Sequence, residues 1–193
     1  MTDRIRILGI DPGSRFTGFG VVDFAGGAPA YVASGTIRSP NGTFPERLRK
    51  IFESVGEIVE QYRPAVVSIE SVFMARNAGS ALKLGQARGI ALLVPAQAGL
   101  PVGEYAPNRI KKTVVGVGHA DKRQVDHMVR MQLPGVVIAG ADAADALAAA
   151  TGFSAQTDRQ MGLAHPGRSQ EYGTFAFLDV RAFGQIQHTL LAE

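Results

Sequence analysis

Short apolar runs separated by turn residues open the chain and predict an antiparallel meander. The first run, residues 5–10, stops at the turn-forming sequence DPGS, and similar runs at 16–23 and 30–37 follow between glycine-rich turns. Runs of this length, rich in β-branched and aromatic residues, are typical of strands. We therefore predict three consecutive strands joined by tight turns.

Helical spacing begins after the third strand. The sequence TFPE at 43–46 combines a capping residue, an early proline and a glutamate three positions on, and apolar residues then recur on one face until Pro64. Further strands are predicted at 65–70 and 102–105. Further helices are predicted at 78–98, 107–115, 121–133 and 142–151, the last ended by Gly152. This order indicates an α/β fold with a mixed five-stranded sheet flanked by helices.

The organisation predicted is one domain at residues 1–152 and a C-terminal tail at 153–193. The tail is rich in Gln, Ser, Thr and Gly and shows weak hydrophobic periodicity, so no function is assigned to it. Hydrophobic residues make up 46% of the chain and charged residues 19%, which is typical of a globular protein. No apolar stretch approaches the roughly 20 residues of a membrane span, and no export signal is apparent.

Two features of the composition bear on chemistry. The absence of cysteine excludes disulfides and thiolate metal ligands, and it is compatible with a cytoplasmic location. Residues 75–133 contain nine basic and three acidic residues, a net charge of +6, whereas the rest of the chain has a net charge of −3. A basic middle segment suits a polyanionic partner such as DNA, although solvated helix faces explain such charges equally well.

Two carboxylates follow apolar strands. Asp11 ends the first strand and Glu70 ends the fourth, where open α/β sheets place their ligands. An isolated aspartate at this point is more often a turn residue. Two acids on strands that could be neighbours would repel each other unless a cation lay between them. The pair therefore predicts a metal site.

A second pair of acids lies in the alanine-rich sequence ADAADAL at 141–147. Asp142 and Asp145 are three residues apart, which places both on one face of a helix. A favourable interaction with the helix N-terminus accounts for Asp142 alone and leaves Asp145 unexplained. Carboxylates without cysteine and with few histidines favour hard divalent cations such as Mg²⁺ or Mn²⁺.

These segments together resemble one family, the RuvC Holliday junction resolvases, over roughly residues 4–152. The matching segments are LGIDPGSRFTGFG at 8–20, IESVFMARN at 69–77, SALKLGQARG at 80–89, KKTVVG at 111–116, Lys122 with QVDHMVR at 124–130, and DAADAL at 142–147. The resemblance implies an RNase H-like fold and a structure-selective endodeoxyribonuclease that resolves junctions by paired symmetric nicks in recombination and repair. The segment PGVVIAG at 134–140 departs from the proline-rich loop expected there.

The resemblance also implies roles for residues. Four acids would hold two Mg²⁺ ions, with Mn²⁺ as a substitute, for phosphodiester hydrolysis by water; these are Asp11, Glu70, Asp142 and Asp145. Lys122 would assist catalysis at the scissile phosphate. Residues implied to contact DNA are Phe73, Arg76, Asn77, Lys83, Lys111 and Lys122.

The family resemblance further implies a homodimer, a branch-migration motor complex as partner, and a bacterial, nucleoid-associated location. Ala81, Gly85 and Gly89 recur every four residues on the helix predicted at 78–98. Such a stripe permits close approach either to the sheet or to a second subunit, and the sequence leaves both open.

Three other functions remain open. The sequence GIDPGS also resembles the first phosphate-binding hairpin of actin-like sugar kinases, but a second hairpin is not apparent in the 193 residues. A non-catalytic junction-binding protein would not need four acids. A related nuclease with other branched or RNA-containing substrates would use the same site.

Overall fold

A five-stranded mixed sheet forms the centre of the protein. The computed structural model describes residues 4–71 and 77–161, of which 154–161 are described by their backbone alone. The strands are β1 (Ile5–Asp11), β2 (Phe16–Ala25), β3 (Ala28–Arg38), β4 (Val66–Glu70) and β5 (Val102–Tyr105). Their order is β3-β2-β1-β4-β5, with antiparallel pairing on the β2–β3 side of β1 and parallel pairing on the β4–β5 side. The predicted meander and mixed sheet are confirmed.

Five helices accompany this sheet in the described part of the chain. They are α1 (Phe44–Tyr62), α2 (Ala78–Gln97), α3 (Pro107–Val115), α4 (Lys122–Gln132) and α5 (Ala141–Met161). The predicted start of α1 is confirmed, since the Glu46 carboxylate accepts hydrogen bonds from the Thr43 backbone N–H at 2.7 Å and from its hydroxyl at 2.9 Å.

The predicted end of α5 is wrong. Gly152 does not terminate the helix, which continues to Met161. The Gly152 backbone has no left-handed φ. The residue is buried and faces Ile110 of α3, since a Cβ added to it would lie 3.8 Å from Ile110. A glycine that meets a neighbouring helix can remain inside a helix, because the tertiary contact outweighs its weak helical propensity.

The helices cover the two faces of the sheet and bury a separate apolar cluster on each. On one face, α3, α4 and α5 enclose a cluster that includes Ile7, Val22, Phe24, Ile110, Val129 and Leu147. On the other face, α1 and α2 enclose a cluster that includes Leu8, Ile10, Val67, Ile51, Val55, Ala87 and Ala91. Side chains alternate between the faces along β1, so one strand supplies both clusters.

Glycines in β1 and β2 allow α5 to lie directly on the sheet. A Cβ atom on Gly9 would overlap the backbone of Ala146, and one on Gly18 would overlap the carbonyl of Asp142. A Cβ on Gly20 would lie 2.7 Å from the Leu147 side chain. Side chains at these positions would lift α5, so the glycines fix how closely the helix approaches β1 and β2.

Some predicted features fall outside the described residues, namely Phe73, Arg76 and the tail beyond residue 161. Within the described part, no helix combines the length and the hydropathy that crossing a bilayer requires.

Candidate active site

Asp11 and Glu70 lie side by side at one edge of the sheet. β1 and β4 are parallel, and Ile10 pairs with Ile69, so the next residue of each strand is an acid at the same level. Adjacent strands lie about 4.8 Å apart. Asp11 and Glu70 are both half-buried. The two acids that the sequence placed at strand ends are therefore neighbours.

The turn after Asp11 is held by a buried threonine. The Thr17 hydroxyl donates to the Gly13 carbonyl at 2.8 Å and accepts from the Gly13 N–H at 3.3 Å. Thr17 is fully buried, and a Cβ on Gly13 would overlap the carbonyl of Phe16. The turn therefore presents Asp11 on a fixed backbone. Sequence reasoning did not assign Thr17 this role, although a glycine and a threonine four residues apart across a turn could have suggested it.

Helix α5 supplies the second pair of acids. Asp142 lies in its first turn and Asp145 one turn later, both half-buried beside fully buried alanines. The carbonyl of Asp142 rests against Gly18 of β2, which is the partner of Asp11 in the β1–β2 ladder. The glycine contact thus brings the start of α5 to the sheet edge where Asp11 stands.

The electrostatics of Asp11 link it to the other three acids. Burial raises the pKa of Asp11 from 3.8 to about 8, and repulsion from Glu70, Asp145 and Asp142 adds to the rise, while Lys122 opposes it. Each of these groups is therefore close enough to Asp11 to affect its charge.

Glu70 responds in the same way. Burial raises its pKa from 4.5 to about 7, with a further contribution from Asp145, while Lys111 and Lys122 oppose the rise. Carboxylates with raised pKa values in one cleft are a sign of a functional site, because the protein bears the free-energy cost of keeping them together.

Two predicted lysines lie at this site. The Lys122 ammonium lies 3.2 Å from the Asp145 carboxylate, which raises the lysine's pKa, yet its side chain is 74% exposed. Lys111 lies near enough to Glu70 to lower that acid's pKa. The Lys111 and Lys122 ammonium groups therefore lie close to the acids, where they could attract an anionic substrate. A cavity of about 340 Å³ opens beside Lys122 and Asp145, with Arg123 and Arg130 in its wall.

The donor set suits a hard divalent cation. All four acids offer carboxylate oxygens, and a cation among them would relieve the burial and repulsion that raise the pKa values of Asp11 and Glu70. In the described residues no three acidic or histidine side chains converge into a complete metal cage. Closer approach of the four carboxylates would need a cation to offset their mutual repulsion, and Asp145 is paired with Lys122 instead.

The predicted DNA-contacting residues of α2 are outside this cluster of acids. The Asn77 side chain caps α2 by accepting a hydrogen bond from the Ser80 N–H at 2.8 Å, a role that sequence reasoning missed. Lys83 is exposed on the same helix. Asn77 therefore has a structural function whether or not it also meets DNA.

A family model described as crossover junction endodeoxyribonuclease RuvC matches residues 7–153. The chain belongs to the RuvC family. A RuvC from Ruegeria pomeroyi is 57% identical over 146 residues, covering 76% of this chain and 88% of that protein. A RuvC from Alkalilimnicola ehrlichii is 52% identical over 162 residues, covering 84% of this chain and 98% of that protein.

A solved RuvC structure agrees with this assignment. Thermus thermophilus RuvC in complex with Holliday junction substrate superposes with a TM-score of 0.74 and 33% identity, covering 81% of this chain and 96% of that chain. The fold is thus the RNase H-like fold of RuvC proteins, as the sequence predicted. As a RuvC family member, this protein is a crossover junction endodeoxyribonuclease, and its chemistry depends on divalent metal.

Proposed function

We propose that this protein resolves Holliday junctions by paired symmetric nicks, hydrolysing phosphodiester bonds with water as nucleophile in recombination and repair. One observation carries the proposal: two strand-end acids and two acids of α5 act on one another electrostatically at a single sheet edge, beside two lysines. A RuvC relative has been solved with a Holliday junction substrate, which supports the same substrate here.

The proposed metal ligands are Asp11, Glu70, Asp142 and Asp145, and the proposed cofactor is a pair of Mg²⁺ ions, with Mn²⁺ as a substitute. When bound, such ions lower the pKa of a water molecule and stabilise charge on the leaving 3′-oxygen. The acids come from three elements that pack against one another, so the protein sets their positions by its fold. Partial burial lowers the local dielectric around Asp11 and Glu70 and strengthens their interaction with a cation.

Lys122 and Lys111 are proposed to bind the scissile phosphate. Lys122 is anchored at Asp145 by the 3.2 Å ion pair, and most of its side chain remains open to substrate. A positioned ammonium group stabilises the negative charge that develops on the phosphate in the transition state. Phe73, Arg76, Asn77 and Lys83 remain proposals for DNA contact.

A homodimer is proposed through the exposed face of α2. Ala87, Ala91 and Val94 of α2 are buried against the sheet side, whereas Leu82 and Leu93 are 65% and 47% exposed. These leucines are eleven residues apart, three helical turns, and so share the outer face. Two-fold symmetry in the protein would match two-fold symmetry in a four-way junction.

The row of small residues on α2, Ala81, Gly85 and Gly89, also favours a dimer through this face. Added Cβ atoms at Gly85 and Gly89 would meet nothing within 4 Å, so these glycines are not needed for packing against the protein's own sheet.

We further propose a branch-migration motor complex as partner and a bacterial cytoplasmic, nucleoid-associated location, in keeping with the bacterial relatives.

Cleavage assays with Mg²⁺ test the function. Labelled four-way junctions should receive paired symmetric nicks, whereas duplex DNA and RNA–DNA hybrid should stay intact. Asp11→Asn, Glu70→Gln, Asp142→Asn and Asp145→Asn should each abolish nicking while junction binding persists, because each removes a metal ligand and leaves the basic surface. Failure of the wild-type protein to cleave any of these substrates would refute the nuclease proposal. Equal loss of binding in the variants would show that the acids are structural.

A further inference from the structure

An arginine–aromatic cluster that includes none of the four acids or the two lysines lies where β2 begins and β3 ends. Phe16 begins β2 and pairs with Arg38, the last residue of β3. The Arg38 guanidinium carbon lies 5.7 Å from the centre of the Phe16 ring. Phe16 is 48% exposed, and Arg15 beside it is also exposed. We call Arg15, Phe16 and Arg38 the β2–β3 arginine cluster.

The β2–β3 arginine cluster is fixed to the backbone that carries Asp11. The turn between Asp11 and Phe16 is held by the two hydrogen bonds between Thr17 and Gly13. In addition, the Ser39 N–H donates to the Arg15 carbonyl at 3.0 Å, which ties the end of β3 to this turn. The cluster therefore has a defined position relative to the catalytic acids.

The charges of the cluster have no acidic partner in the described part of the chain. Arg15 and Arg38 take part in none of the ion pairs there, whereas Arg4 and Arg6 both pair with Asp23. An arginine held over an aromatic ring keeps its N–H groups free for an anion, and guanidinium matches phosphate oxygens in shape. If Arg38 served only to shield the Phe16 ring from solvent, the ring would not remain 48% exposed.

We propose that the β2–β3 arginine cluster binds a backbone phosphate of a junction arm, with Phe16 holding Arg38 in place. This rests on the proposed function, since the ligand is the DNA that the four acids cleave. β3 lies two strand spacings from β1, on the order of 10 Å. The bound phosphate therefore lies within a few nucleotides of the scissile one.

Metal-free binding of the full chain to a four-way junction tests the cluster. Arg38→Ala should weaken binding several-fold and reduce the slope of log affinity against log salt by about 0.9, the value for one phosphate contact. Phe16→Leu should weaken binding about two- to fivefold, because the leucine keeps the apolar volume and loses the ring. Arg4→Ala is the matched control, since it removes the same charge just before β1, at the opposite end of the strands.

Single methylphosphonate substitutions in the junction locate the contact. When the neutral linkage is moved one nucleotide at a time on either side of the nick, one position within a few nucleotides of it should weaken wild-type binding and should have no further effect on Arg38→Ala. Equal losses for Arg38→Ala and Arg4→Ala, or a methylphosphonate effect that persists in Arg38→Ala, would overturn the proposal. Wild-type cleavage with Mg²⁺ is measured alongside, so that absence of nicking refutes the proposed function and normal nicking with an unchanged salt slope refutes only the cluster.

Discussion

Asp11 shows what it costs to hold a carboxylate in a partly buried position among other acids. Its pKa of about 8 results from burial first and from neighbouring acids second. The ionised form is therefore less favourable in the folded protein than in the unfolded chain at neutral pH. A bound cation would remove this penalty. The unfavourable free energy of the metal-free carboxylates therefore favours metal binding.

The penalty predicts a pH dependence of stability in metal-free buffer. Between pH 4 and 8 the folded protein retains a proton on Asp11 that the unfolded chain, with a pKa near 3.8, has lost; its contribution to stability therefore falls as the pH rises through this window. Asp11→Asn lacks this decline and should unfold at a temperature higher by a few degrees at pH 8, since 1 kcal/mol is worth roughly 2–4 °C.

Thermal unfolding at fixed protein concentration from pH 4 to 8, with chelator and then with Mg²⁺, measures the effect. Mg²⁺ should narrow the gap between Asp11→Asn and wild type at pH 8. A gap that stays constant across the pH range would contradict the prediction.

Lys122 gives a second test at this scale. Lys122→Ala should lower the single-turnover cleavage rate about 10²- to 10³-fold, because it removes a positioned charge from the transition state. Junction affinity should change far less, since only one cation is lost. Lys122→Arg, which keeps the charge, should retain more of the rate than Lys122→Ala. Equal rates for the alanine variant and wild type would show that Lys122 does not contribute to catalysis.

At the scale of elements, periodicity and turn residues predicted the strands and helices well because those signals are local. The strand ends at Asp11 and Glu70, and the helix starts after Thr43 and before Asp142, were apparent for that reason. The extension of α5 past Gly152 was missed, because its cause is a contact with α3. The seating of α5 on the glycines of β1 and β2 was missed too, since sequence does not show which helix crosses which strand.

The seating predicts opposite effects for two glycine-to-alanine changes. Gly18→Ala should destabilise the protein by about 1–3 kcal/mol or more, because the new methyl group overlaps the Asp142 carbonyl. Cleavage should fall further than stability explains, since the start of α5 moves. Gly56→Ala in α1, where a Cβ meets nothing within 4 Å, should instead stabilise by about 0.5–1 kcal/mol. Chemical denaturation and single-turnover cleavage measure both; stabilisation by Gly18→Ala would show that α5 does not rest on β2.

At the scale of the whole molecule, the proposed catalytic site and the proposed dimer interface lie on different sides of the sheet. The acids and lysines stand at the edge between the α5 layer and the strand ends, whereas the outer face of α2 lies on the opposite layer. The α2 face is apolar at Leu82 and Leu93 and has no partner within the described part of the chain. A second subunit there would leave the catalytic edge of each copy open to DNA.

The double variant Leu82→Glu/Leu93→Glu tests this arrangement. Charges on the outer face of α2 should convert a dimer to a monomer in analytical ultracentrifugation, because like charges would be buried against each other in the symmetric interface. Paired nicking should become single nicking, and the unfolding temperature should no longer depend on protein concentration. Glu53→Gln/Glu57→Gln on α1 is a charge-changing control away from this face. A double variant that remains dimeric would exclude this face.

The glycine seat also has a consequence for synthesis of the protein in a cell. Asp11 and Glu70 leave the ribosome early, but Asp142 and Asp145 join them only when α5 settles on β1 and β2 near the end of the domain. A partly made chain, or one cut short before α5, holds only two of the four acids proposed to bind metal. Under the proposed function, products of translation or proteolysis that lack α5 would therefore not cleave DNA.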